Sequence, residues 1–148
     1  MASKIRQANG DDHPEAAGKN LTDAQALESQ NRHDGAGYLA GYVVECCLKT
    51  VVLIEQGART WNGRTGHDLR FLSANALRFA SIASAKTAKY APFGNAGHPI
   101  YDPNVGWRET LRYREQGAVP AATAQAWIAE AYFVFQKTVA QMRLDGVI

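Results

Sequence analysis

The sequence predicts an all-α protein: an antiparallel four-helix bundle with a long loop or short helix before the last helix. Three observations predict it. The run from Ala36 to Gln56 is apolar on nearly every face and holds no proline; the segments around it repeat apolar residues every three or four positions; and four of the chain's five prolines fall between residues 92 and 120. A chain of 148 residues that is 46% hydrophobic and 20% charged can bury a core without disulfides or metal, so one domain is expected.

Residues 1–18 are rich in Asp, Gly, Asn and Gln and read as a flexible N-terminal tail, leaving residues 19–148 as the helical domain. From Asn20 to Arg32, Leu21, Ala24 and Leu27 form one stripe, and the Asn-Arg-His-Asp-Gly sequence that follows stops the helix. The second helix spans residues 36–56, with Gly57 placed to cap its end. Its paired valines, Val43-Val44 and Val51-Val52, would suit a strand, but about twenty residues without a turn signal is too long for one. Thr65, three before Asp68, resembles a capping box opening a third helix, along which Leu69, Leu72, Ala76, Phe79 or Ala80, and Ala83 keep helical spacing. The segment from Pro92 to Pro120 has no sustained periodicity. Pro120 then opens a last helix whose apolar face holds Ala124, Trp127, Ile128, Ala131, Val134 and Phe135. Short connections between the first two helices and the second two predict antiparallel neighbours.

Composition excludes several function classes. No apolar stretch follows the basic residues near the N-terminus, so a cytoplasmic location is expected. A net charge of +2 is too small a footprint for nonspecific nucleic-acid binding. The apolar run could be mistaken for a membrane span, yet Glu45 and Lys49 sit near its centre, where each would cost roughly 2.5–3.5 kcal/mol. A buried core helix is predicted instead, with no membrane partner. Cys46 and Cys47 are adjacent in that helix and read as reduced, packed thiols. The four histidines lack ligand spacing, and no phosphate-loop, GxSxG or HExxH motif occurs, so neither metal nor cofactor is expected.

Chemistry-bearing residues gather at three places. Tyr38, Tyr42, Glu45 and Lys49 share one face of the central helix, with Glu four before Lys in the favourable orientation for an intrahelical pair. Charges on so apolar a helix also predict that Glu45 meets a group outside its own helix, with Arg112 or Arg114 as candidates. His67 and Asp68 stand where a third helix begins, suited both to capping and to serving a ligand. In the segment from Trp107 to Arg114, Arg108, Arg112 and Arg114 supply charged forks for phosphate, with Trp107 and Tyr113 available to stack on a base.

The GYxxExxLK pattern from Gly41 to Lys49, the Gly66-His67-Asp68-Leu69 that follows and the stretch Leu111–Arg114 together resemble the HEPN family, the higher eukaryotes and prokaryotes nucleotide-binding domains. The resemblance covers about residues 14–146. It implies a helical bundle that homodimerises and that is often encoded beside a small nucleotidyltransferase in toxin–antitoxin or defence pairs. Many family members are metal-independent ribonucleases built on Arg, four to six residues, then His on a late helix. No histidine follows His98 here, and the literal match from Arg6 to His13 falls in the polar tail. The expectation is therefore a binding domain rather than an enzyme: a dimer that takes a nucleotide, RNA or a nucleotidyltransferase-type partner. Arg108, Arg112, Tyr113, Arg114 and His67 would hold the ligand, and Tyr42, Glu45, Lys49 and Asp68 would orient the site. The alternative is a metal-independent endoribonuclease using His67 with Arg112 or Arg114.

Overall fold

The computed structural model describes residues 1–58, 60–63 and 66–148. Every regular element among them is helical: α1 (His13–Ser29), α2 (His33–Gln56), α3 (Leu69–Ala80) and α4 (Ala121–Phe135). A π turn, Gln136–Ala140, and a last turn, Gln141–Leu144, continue α4 to Leu144.

α1 begins at His13 rather than Asn20, so the tail ends at Asp12 and not at residue 18. Asp12 caps the helix by accepting from the Glu15 N–H at 3.3 Å, and Pro14 occupies a first-turn position that needs no donor. Ser3 donates to Asp12 through both its backbone N–H and its hydroxyl, each at 2.7 Å, which folds the chain's first residues back onto this cap. The early start carries little apolar periodicity because its one fully buried core residue, Ala17, is small.

α2 is the centre of the molecule and touches α1, α3 and α4. Val43, Val44, Leu48 and Val51 are completely buried, each stabilising the fold by roughly 1.5–3 kcal/mol relative to exposure. α2 is long and apolar enough to cross a membrane, but 78% of its most apolar window is buried by the other helices. Gly57 ends it with φ of +61°, a left-handed cap that glycine adopts without strain.

The helix directions depart from a fully antiparallel bundle. α1 and α2 form a hairpin, and α1 is antiparallel to α4 as well, since Glu28 near its end meets Gln125 and Glu15 near its start meets Arg143. α4, however, runs parallel to α2: Gly37 lies against Ala124 and Trp127 near the start of α4, and Cys47 lies beside Thr138 near its end. α3 starts beside Glu45, midway along α2, and the chain beyond it returns to α2's end, where the Thr87 N–H donates to Glu55. The physical reason is length. Residues 57–68 and 81–120 are both long enough to carry the chain back along the bundle before the next helix begins.

The long connection is ordered by two carboxylates, one of them buried. It contains three short 3₁₀ turns, Ala88–Tyr90, Pro99–Tyr101 and Glu109–Tyr113. Glu130 of α4, 7% exposed, accepts from the Tyr101 hydroxyl at 3.0 Å and the Asn95 N–H at 2.7 Å. Asp34, in the first turn of α2, accepts from the Gly117 and Val119 N–H groups at 2.7 and 2.8 Å. These carboxylates fix the segment at both ends and so determine where Trp107 and the arginines around it lie.

Candidate functional site

Three and four residue spacing puts Tyr38, Tyr42, Glu45 and Lys49 on one face of α2, and that face builds the site. Glu45 is 3% exposed and Lys49 6%. Lys49 Nζ donates to Glu45 Oε1 at 2.7 Å, while the second carboxylate oxygen accepts from His67 Nδ1 at 2.8 Å. Glu45 therefore meets a group outside its own helix, but that group is His67 rather than Arg112 or Arg114. An ionised carboxylate only accepts, so Nδ1 carries its proton, and Nε2 has no partner among the described residues. The His67 side chain is 48% exposed, which leaves that nitrogen within reach of solvent.

His67 arrives there because α3 is capped just after it: Asp68 accepts from the Phe71 N–H at 2.9 Å. The capping box expected from Thr65 lies outside the described residues. Gly66 passes close behind, and a Cβ on it would stand 3.6 Å from Lys49 Nζ.

Trp107 closes the other side of this face. Its indole meets Tyr42 edge-on with centroids 4.9 Å apart, and its Nε1 donates to the Tyr38 carbonyl at 2.8 Å. A Cβ on Gly41 would come within 2.1 Å of the indole, so the ring can sit there only because residue 41 is glycine. At 4% exposure Trp107 is a wall of the site and not the stacking platform expected from the sequence. The Tyr38 and Tyr42 hydroxyls are 3.1 Å apart. Burial, then the bond to Tyr38, pushes the Tyr42 hydroxyl far above its ordinary range, so it stays neutral.

Beside His67 opens a cleft of about 380 Å³, lined by Gly66, His67, Asp68, Arg70, Asp102, Trp107, Arg108 and Glu109 among others. Its charges are mixed: two arginines face three carboxylates. Asp68 is committed to its cap, and Asp102 accepts from the Asn104 and Val105 N–H groups, which hold its carboxyl below the usual range. Arg108 donates to the carbonyls of Pro103 and Asn104, which fixes its guanidinium at the rim.

Arg112 and Arg114 lie outside that cleft, on a hollow of about 180 Å³ shared with Asp34 and Tyr38, and Arg114 also lines a hollow of about 260 Å³ with Arg108. Arg112 stacks over the Tyr113 ring at 4.8 Å and lies beside the Tyr38 hydroxyl; Tyr113, then Tyr38, favour its charged form. Tyr113 is 74% exposed and faces away from the packed core. Of the residues singled out in the sequence, the fold thus gathers His67, Asp68 and Arg108 at one cleft with Tyr42, Glu45 and Lys49 behind, and leaves Arg112, Tyr113 and Arg114 on a neighbouring surface. Arg70, Asp102 and Glu109 are cleft residues that sequence reasoning missed. Arg70 carried one usable signal, since it lies two residues beyond the Asp68 cap and hence in the same helical turn.

Cys46 and Cys47 take no part. Both are buried and free, and burial pushes the Cys47 thiol up to about 12, so neither supplies a thiolate at neutral pH. What the arrangement can do chemically is hold an imidazole at a fixed angle on a buried carboxylate, with guanidinium groups nearby to meet an anion. No family model, curated protein or solved structure matches the chain.

Proposed function

We propose that this chain is a HEPN-like helical domain that binds a nucleotide or RNA in the cleft beside His67. The observation that carries the reading is the His67–Glu45 hydrogen bond, which ties residues 22 positions apart and presents a half-exposed imidazole to a cleft holding Arg70 and Arg108. A structural histidine needs no such cleft, and a surface ligand site needs no buried carboxylate. In this reading Arg108 and Arg70 meet phosphate, His67 Nε2 contacts the ligand, and Glu45 with Lys49 keeps the imidazole in place. Arg112, Tyr113 and Arg114 form an outer surface for a longer RNA or for a nucleotidyltransferase-type protein of a toxin–antitoxin or defence pair. Homodimerisation is part of the proposal, and the exposed Tyr132 and Phe133 on α4 are apolar area suited to it.

Anisotropy titrations with labelled single-stranded RNA and with a fluorescent ATP analogue test this reading. His67→Ala and Arg70→Ala each weaken binding about tenfold or more, and Arg112→Ala weakens RNA binding but not ATP binding. Unchanged affinity in both His67→Ala and Arg70→Ala would discard the cleft as the site.

A second reading, a metal-independent endoribonuclease, is favoured by one feature: a carboxylate-anchored imidazole whose Nε2 has no partner among the described residues is equipped to move a proton at a 2′-hydroxyl. Arg108, rather than Arg112 or Arg114, is then the guanidinium at hand. RNA cleavage in the presence of a chelator, lost in His67→Ala, is the expected result; cleavage that persists in that variant refutes it.

A further inference from the structure

The cleft beside His67 is the first of three hollows that follow one another along residues 102–118. Arg108 lines both the cleft, of about 380 Å³, and the hollow of about 260 Å³ next to it. Leu111, Arg114, Glu115 and Ala118 line both that middle hollow and the one of about 180 Å³ beside Tyr38. The segment between them is tied to α2 at two points, through the Trp107 bond to the Tyr38 carbonyl and through Asp34, which accepts from the Gly117 and Val119 N–H groups. The three hollows are therefore held in a fixed order.

Each hollow is edged by two guanidinium groups: Arg70 and Arg108 at the cleft, Arg108 and Arg114 in the middle, Arg112 and Arg114 at the far end. Arg108 spends Nη2 on the Pro103 and Asn104 carbonyls, which holds it at the first junction and leaves Nε and Nη1 outside that contact. Carboxylates lie among the arginines and decide which anion fits. Three of them, in the cleft, face only two arginines, so the concentrated charge of a triphosphate is repelled there. A single strand of RNA brings one charge per nucleotide and can set successive phosphates against successive arginines. Its unstacked bases can enter small hollows in turn, which a rigid duplex cannot do. Tyr113, 74% exposed at the far end, offers a ring on which a base can stack.

We propose that residues 102–118 carry a track for single-stranded RNA, running from the His67 cleft over Arg108 and Arg114 to Arg112 and Tyr113. The proposal rests on the reading of the cleft as a nucleotide or RNA site and decides between the two: the ligand is an oligonucleotide that spans all three hollows, not a free nucleotide, and the outer surface serves RNA rather than a protein.

The test compares a labelled dinucleotide with a labelled hexanucleotide of RNA, each titrated by anisotropy against the full chain from about 50 to about 300 mM salt. The hexanucleotide binds at least about tenfold tighter, and the logarithm of its affinity falls against the logarithm of salt with a slope of about −3, as four phosphate contacts require; the dinucleotide gives about half that slope. Arg114→Ala, at an exposed position and so without cost to the fold, weakens hexanucleotide binding about fivefold or more and flattens its slope by about 0.7. Lys137→Ala, which removes a positive charge from a different hollow, shared with Lys89 and Asp145, leaves it unchanged. Equal losses in the two variants overturn the track, because binding then follows overall charge. A hexanucleotide that binds no tighter than the dinucleotide also overturns it, leaves the cleft reading standing and returns the outer surface to a protein partner. Binding of neither RNA removes the cleft reading and the track together.

Discussion

Replacing Lys49 by methionine removes the ammonium from a nearly inaccessible carboxylate while keeping most of the side chain's apolar volume. Glu45, 3% exposed, then retains His67 on Oε2, and Oε1 is left without a hydrogen-bond partner among the described residues. Breaking a buried pair by removing one partner costs about 3–5 kcal/mol, and the surviving imidazole bond argues for the lower end, about 3 kcal/mol. For a domain of this size that lowers the melting temperature by about 6–12 °C. Urea denaturation at pH 7 measures it, with an unchanged slope showing that the native state is otherwise intact. Because the pair is buried, the loss is the same at low and high salt. The decisive control is Glu45→Gln: in that background Lys49→Met costs at least about 1.5 kcal/mol less, since no charge is left stranded. A single-variant loss below about 1 kcal/mol, or the same loss in both backgrounds, would refute the view of Glu45 as a buried, fully engaged carboxylate.

Two further outcomes are expected. Gly41→Ala drives a Cβ into the Trp107 indole; displacing the ring and its bond to Tyr38 costs about 2–4 kcal/mol, and repeating the change in a Trp107→Ala background, by thermal melting, recovers most of it. His13 has its pKa lowered by burial, then by Lys49. A histidine buried neutral binds its proton more readily when unfolded, so its contribution is intact above about pH 6.5 and is lost as pH falls from there through the folded value. His13→Gln flattens stability against pH in that window; an unaltered curve, followed by urea melts from pH 7.5 to 5, counts against the burial of this ring.

Much of the architecture was legible because it is local. The α2 pattern, its Gly57 cap and the Glu45–Lys49 pair depend on residues within one or two turns of each other, and the all-α class follows from such patterns. α1's early start was missed because Asp12 and Pro14 mark it by capping chemistry rather than by apolar spacing. The site was legible only in fragments. His67 and Glu45 were each visible, yet nothing in their spacing names them as partners. Trp107 read as a stacking residue because its seat on Gly41 is 66 positions away in sequence.

What the amino-acid order determined by itself, then, is the helical class, the buried charged helix at its centre and the helix caps. Tertiary structure alone decided that α4 runs parallel to α2, that Glu45 takes His67 and that Arg112 and Arg114 lie outside the His67 cleft. The reason lies in the connections. A helix is specified by neighbours three and four residues apart, whereas residues 81–120 are routed by Glu130, Asp34 and the Trp107 seat, each bringing together groups that no local period relates.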